Sequence, residues 1–139
     1  MRDDAATRGR ILVVEDNRLN RELIVDVLEA EGYTVLEAED GAGLIQRVEA
    51  EQPELILLDL QLPGVDGLTL ARQLKADPAT QGIPILVTTA YAEVGYRERV
   101  LAAGCSGFVS KPLDVRAFVQ IVGRLLGKSA TAWAGSHAH

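Results

Sequence analysis

Four places along the chain carry groups that could do chemistry together. Glu15 and Asp16 follow the apolar run Ile11-Leu12-Val13-Val14, and Asp59 follows the run Leu55 to Leu58. Thr88 and Thr89 close Ile85-Leu86-Val87, and Lys111 follows Gly107-Phe108-Val109-Ser110. Each group sits at the carboxyl end of a strand-like segment. Three carboxylates in one place repel: two unit charges about 4 Å apart cost about 4 kcal/mol at an effective dielectric near 20. A raised pKa relieves this, and so does a divalent cation. Magnesium suits a few carboxylate and carbonyl oxygens plus phosphate, and keeps several waters. Lys111 would bind a second anionic group or hold Asp59, and Thr89 offers a hydroxyl donor. A metal, a nucleophilic carboxylate, a lysine and a hydroxyl together make a phosphoryl-transfer site, where catalysis is mostly positioning and charge neutralisation. Asp59 would be the nucleophile and end as an aspartyl phosphate.

Each feature also has a plainer reading. An Asp at a strand end is often a turn or cap residue. Glu15-Asp16 alone could be an acid pair complementing a helix dipole. Thr89 is preferred over Thr88 because Ala90 follows it, with a one-residue slip left open. Phe108 could be simple core at a strand end.

The elements that must position these groups alternate. Ile11–Val14 reads as a first strand, and Asn17 starts a helix with Leu23, Ile24, Val27 and Leu28 at helical spacing until Glu31-Gly32. Tyr33–Ala38 is a second strand. Asp40-Gly41 turns into a helix with Leu44, Ile45 and Val48 on its core face. Leu55–Leu58 is apolar throughout, as in a strand buried on both faces. Pro63-Gly64 is a turn, and Asp66 caps a helix from about Gly67 to Ala76, closed by Asp77-Pro78. Ile85–Thr89 is a fourth strand. A weakly patterned helix follows, anchored by Val100 and Leu101, with Gly95 near its start. Gly107–Ser110 is the fifth strand. Asp114 caps a last helix carrying Ala117, Phe118, Ile121, Val122 and Leu125, ended by Gly127. Strand and helix thus alternate five times. The fold class is α/β, a doubly wound parallel five-stranded sheet of order 2-1-3-4-5, flavodoxin-like or CheY-like. In that order the ends of strands one and three flank the switch point, where ligands bind.

The chain has 139 residues, the size of one domain, and its 47% apolar content suffices for a core. Residues 1–9 read as a polar leader, 10–127 as the domain, and 128–139 as a flexible tail with Trp133, His137 and His139. The net charge of −6 argues against direct nucleic-acid binding. The apolar runs are too short for membrane insertion. The single cysteine, Cys105, excludes an internal disulfide and reads as a small buried hydrophobe. The expected location is the cytoplasm.

Several motifs in this order resemble the receiver domain of response regulators, the CheY-like family. They are the acid pair Glu15-Asp16, Asp59 within Asp59-Leu60-Gln61-Leu62-Pro63-Gly64-Val65-Asp66-Gly67, Thr89-Ala90, and Lys111-Pro112. The resemblance covers roughly Ile11 to Leu126. Val14-Glu15-Asp16-Asn17, Gln61-Leu62-Pro63 and Gly104-Cys105 are most similar to single-domain receivers of the DivK type. The resemblance implies phosphoacceptor Asp59 and a magnesium site. Asp16, Asp59 and the Gln61 carbonyl would be direct ligands, and Glu15 would act through a metal-bound water. It implies that Lys111 bridges to Asp59, that Thr89 reports the phosphoryl group, and that Phe108 is the switch aromatic. The Lys111-Pro112 peptide would be cis, a state accessible because proline follows. It also implies a histidine kinase or histidine phosphotransferase as phosphodonor. That partner would dock near Leu19, Asn20 and Leu113, although Leu19 could equally be core.

No output domain follows Leu126 in this sequence, so the expected output is a protein contact in trans, made by a monomer or a phosphorylation-dependent dimer. The fourth helix, fifth strand and fifth helix are the expected output face. A pseudo-receiver docking module is opposed by the full set Asp16, Asp59, Thr89 and Lys111. An Asp-nucleophile phosphohydrolase usually needs an acid where Gln61 stands. A flavin site is opposed by the absence of a phosphate loop after Val14.

Overall fold

The computed structural model describes residues 8–62, 64, 66–90 and 94–130. The leader up to Thr7, Pro63 and Val65 of the turn, and Trp133, His137 and His139 lie outside the described residues. Ten elements alternate: β1 (Arg10–Val14), α1 (Arg18–Ala30), β2 (Thr34–Ala38), α2 (Leu44–Glu51), β3 (Leu55–Asp59), α3 (Gly67–Ala76), β4 (Ile85–Thr89), α4 (Val94–Ala102), β5 (Gly107–Ser110) and α5 (Val115–Ala130). The strands are parallel in the order β2-β1-β3-β4-β5, as the alternation predicts. The switch point therefore lies between β1 and β3, the two strands that end in acid.

The unbroken apolar runs serve both faces of the sheet. Leu12, Val14, Ile56, Leu58, Ile85 and Val87 pack with Leu44, Val48, Leu68, Leu74 and Val100 under α2, α3 and α4. Their neighbours Ile11, Val13, Leu55, Leu57 and Leu86 pack with Ile24, Leu28, Phe118 and Val122 under α1 and α5. Alternation along each strand produces this division, so two layers of helix are held by one set of strands. Burying one such side chain contributes about 1.5–3 kcal/mol, enough to fix the register that aims the strand ends.

Local signals set the helix starts. The Asn17 side chain accepts the Asn20 N–H at 2.9 Å, and Asp66 accepts the Leu68 N–H at 3.3 Å and the Thr69 hydroxyl at 3.0 Å. Gly67 is there for space: a Cβ would lie 2.6 Å from the Leu60 Cα. The first turn of α3 can therefore press against the residue next to Asp59.

Several expectations need correcting. Leu23 and Leu101 are 47% and 48% exposed, so neither anchors its helix; Ile24 and Val100 do. Both sit beside an apolar neighbour, and periodicity does not say which of the two turns inward. Leu19, at 75% exposed, is not core. Gly127 does not end the last helix: α5 runs through it to Ala130. Gly127 is not among the positive-φ residues, and a glycine inside a helix costs only about 1 kcal/mol against alanine. Tyr33 precedes β2 rather than opening it, buried beneath the Arg8 guanidinium at 4.7 Å. The leader's last two residues are tied down too, since Arg8 N–H donates to the Gly32 carbonyl and Gly9 accepts the Thr34 N–H, both at 2.9 Å.

Candidate functional site

The loop after β1 is short and heavily tethered. Glu15 is buried, its N–H donating to the Ala38 carbonyl of β2 at 3.0 Å. Its carboxylate Oε2 accepts the Asn17 N–H at 3.1 Å. Arg21, one turn into α1, donates to the Glu15 carbonyl at 2.9 Å and pairs with Glu37 of β2 at 3.2 Å. The backbone of the acid pair is thus held from the edge strand and from the helix at once. Asp16 follows, exposed at the mouth.

Asp59 is 1% exposed at the end of β3, and its Oδ1 accepts the Gln61 N–H at 2.9 Å. Ligand atoms of Glu15, Asp16 and Asp59 all lie within 4.8 Å of one another. Lys111, just past β5, puts Nζ 3.1 Å from Asp59 Oδ2 and 3.4 Å from Glu15 Oε1. The first is a hydrogen bond; the second is a charge contact without hydrogen-bond geometry, so buried Glu15 Oε1 has no hydrogen-bond partner. Burial, and then the charge of Asp59, pushes the Glu15 carboxyl above the usual carboxylate range; the Asn17 N–H and Lys111 pull the other way. Three acids against one lysine, with an orphaned buried oxygen, suit a hard divalent cation. The Lys111–Pro112 peptide is cis.

The two threonines part company. Val87 packs under α2–α4 and Leu86 under α1 and α5, so alternation turns Thr88 toward α1 and α5 and Thr89 toward α4. Thr88 is the Cα partner of Asp59 in the sheet. With Glu15, Asn20, Lys111 and Leu113 it lines a cleft of about 420 Å³. Thr89 is fully buried, and its carbonyl accepts the Lys111 N–H at 2.8 Å. Phe108 is the Cα partner of Val87 and packs half-buried on the same face as Thr89.

Leu19 and Asn20 are exposed on the first turns of α1, and Asn20 and Leu113 both line the cleft. Sequence reasoning missed Arg21 and the Gln61 side chain. The Gln61 amide oxygen accepts the Ala90 N–H at 2.9 Å, spanning the crevice. Neither has a clear local signal: Glu37 reaches Arg21 from β2, and Ala90 reaches Gln61 from the segment after β4.

A family profile described as "Response regulator receiver domain" matches residues 11–123. The chain belongs to this family. The receiver is 38% identical over 117 residues to the polar-differentiation response regulator DivK of Brucella anthropi, covering 84% of this chain and 95% of that protein. Among solved structures, it is similar to the receiver domain of a sensor histidine kinase from Pseudomonas aeruginosa, described with a magnesium ion coordinated in the active-site cleft. That likeness has a TM-score of 0.78 at 34% identity, covering 86% of this chain and 98% of that one. A putative response regulator from Chloroflexus aurantiacus gives a TM-score of 0.80 at 30% identity, covering 85% and 97%. The receiver therefore works in two-component or phosphorelay signalling, as the motifs imply. Among its described residues no helix is long and apolar enough to cross a membrane.

Proposed function

We propose that Asp59 is the phosphoacceptor and that magnesium is the cation held beside it by Asp16, Asp59 and the Gln61 carbonyl, with Glu15 acting through a water. The observation that carries this reading is the Lys111–Asp59 contact of 3.1 Å inside a cluster of three acids. The Asp59 carboxylate attacks the phosphorus of a phosphohistidine on a histidine kinase or phosphotransferase. A P–O bond forms as the donor's P–N bond breaks, and the imidazole leaves. Lys111 holds the carboxylate in place beforehand and meets the new phosphoryl oxygens afterwards. A cation held by Asp16, Asp59 and the Gln61 carbonyl would supply charge neutralisation for the transferring group. The chain accepts the group and is not a catalytic enzyme in its own right; its expected place is the cytoplasm.

Docking of the donor is assigned to the cleft beside Asp59. Exposed Leu19 and Leu23 on α1, with Asn20 and Leu113 lining it, offer an apolar edge to a helix. The output is assigned to α4, β5 and α5. The phosphoryl group adds about −1.5 to −2 charges and three acceptor oxygens. Thr89 donates to one of them by turning from the α4 side, and Phe108, on the same face, moves into the space released. A downstream protein reads the change in trans.

Incubation with acetyl phosphate and magnesium, read by intact mass, tests the assignment. The wild type gains one phosphoryl group and Asp59→Asn gains none. Equal labelling of Asp59→Asn at another residue overturns it.

A further inference from the structure

Two arginines on the first turns of α1 behave differently. The Arg18 side chain is 79% exposed and pairs with Glu22 along the same helix. Such a pair on a wet surface is worth little. The Arg21 side chain is 15% exposed and reaches away from its helix in two directions. Its Nε meets the Glu37 carboxylate of β2 at 3.2 Å, and its Nη1 donates to the Glu15 carbonyl at 2.9 Å. Glu37 is itself anchored, because its own carbonyl accepts from the Arg47 guanidinium of α2. The rigid fork of a guanidinium holds both contacts at once.

The Glu15 carbonyl belongs to the peptide that joins Glu15 to Asp16. That carbonyl and the Asp16 N–H lie in one plane, so a partner that fixes the carbonyl also fixes how the chain enters Asp16. The residue before the peptide is tied already, through the Glu15 N–H on Ala38 and the Asn17 N–H on Glu15 Oε2. Asp16 is exposed, with its carboxylate within 4.8 Å of those of Glu15 and Asp59. Repulsion among the three favours any turn of the peptide that swings Asp16 outward.

We propose that Arg21 is a positioning residue for the acids that hold the metal. Its hydrogen bond keeps the Glu15–Asp16 peptide in the plane that leaves the Asp16 carboxylate beside Asp59 before a cation arrives. Glu37 anchors the guanidinium and offsets its charge, so Arg21 supplies geometry rather than a competing positive charge. Aiming a ligand in advance removes an ordering cost from the binding step. The inference rests on the reading of Asp16 as a magnesium ligand and adds what aims it. The sign of the effect separates positioning from plain charge. A cationic side chain acting by charge alone repels a divalent ion, so its removal tightens binding. A group that aims a metal ligand strengthens binding, so its removal weakens it.

The test is a magnesium titration of the full chain, followed by the amide NMR signals of Asp59 and Gln61, with circular dichroism confirming that each variant is folded. Arg21→Met keeps the aliphatic stem and removes the guanidinium, and should weaken magnesium about tenfold. Without metal, the carbonyl-carbon signal of Glu15 should move as its hydrogen bond is lost. Arg21→Lys, whose ammonium can still reach the carbonyl, should recover part of both changes. Arg18→Met removes the same charge from the same helix and should leave both at the wild-type values. Unchanged or tighter magnesium binding in Arg21→Met overturns the inference. So does weaker binding with an unmoved Glu15 carbonyl, an equal loss in Arg18→Met, or no recovery in Arg21→Lys. If Arg21→Met does not fold, Arg21→Lys decides: a moved Glu15 carbonyl with wild-type affinity overturns the inference, and both changing together supports it. Asp16→Ala separates the inference from the reading beneath it. Wild-type magnesium affinity in Asp16→Ala defeats the ligand reading. Weak binding there, beside wild-type affinity in Arg21→Met, defeats the positioning role alone.

Discussion

The Gln61 side chain joins the loop after β3 to the loop after β4 through its 2.9 Å bond to the Ala90 N–H. Ala90 follows Thr89, so this bond restrains the segment expected to move when Asp59 is modified. Gln61→Leu keeps the length and removes the acceptor. A net hydrogen bond is worth about 1 kcal/mol, so amide exchange at Ala90 should speed about fivefold. Global stability should change little, because Gln61 is exposed. Unchanged exchange at Ala90, read by NMR, would show that the bond carries no restraint.

Magnesium should raise the melting temperature. Ligand that binds only the folded state stabilises it by mass action, about 2.7 kcal/mol at a hundred times the dissociation constant. Asp16→Ala leaves the buried pair Glu15 and Asp59 in place and removes the exposed carboxylate proposed as a ligand. Its melting temperature without the metal should stay near the wild-type value, and most of the magnesium response should vanish. A full response in Asp16→Ala would remove Asp16 from the ligand set.

Thr88 and Thr89 can be told apart by substitution. Thr89→Ala should accept the phosphoryl mimic beryllofluoride, yet the NMR shifts at Val100, Leu101 and Phe108 should fall to a small fraction of the wild-type change. Thr88→Ala changes the cleft wall beside Asp59 and should slow uptake from acetyl phosphate while leaving the coupling intact. Wild-type shifts in Thr89→Ala would break the proposed link between Asp59 and α4.

Cys105 gives a pH dependence. Burial pushes its thiol up to about 11 from a model-compound value of 9.0, so the folded chain holds this proton longer than the unfolded one. The stabilisation is complete below about pH 9 and is lost as pH rises toward 11. At 1.36 kcal/mol per unit this is on the order of 2–3 kcal/mol. Wild-type stability should therefore fall toward that of Cys105→Ala across this window. A constant gap between the two, measured by urea unfolding from pH 8 to 11, would contradict it.

The strand ends were legible because of one pattern. Leu55–Asp59 is apolar until its last residue, and a strand buried on both faces can place a charge only at its ends. The same logic located Glu15 and Lys111. Asn17 and Asp66 were legible as caps because their partners lie within a few residues. What distant strands bring together was not legible: Arg21 meets Glu37, and Gln61 meets Ala90, across 16 and 29 residues. The side of the sheet that each threonine faces depends on a register set by the whole core. Leu23 and Leu101 misled because a stripe of apolar residues one turn apart looks the same whether it closes the core or edges a groove.

Lys111 and Asp59 are 52 residues apart in the chain. A ribosome adding about 5–20 residues per second delivers the lysine about 3–10 s after the aspartate. Through that interval β1, β2 and β3 exist with Glu15, Asp16 and Asp59 but without β5. The nascent half that can pair first is also the half whose acids oppose its pairing. Until the lysine emerges, only a proton or a bound cation can offset the repulsion among Glu15, Asp16 and Asp59. Completing the sheet adds, just past its last strand, a cation that the chain itself supplies.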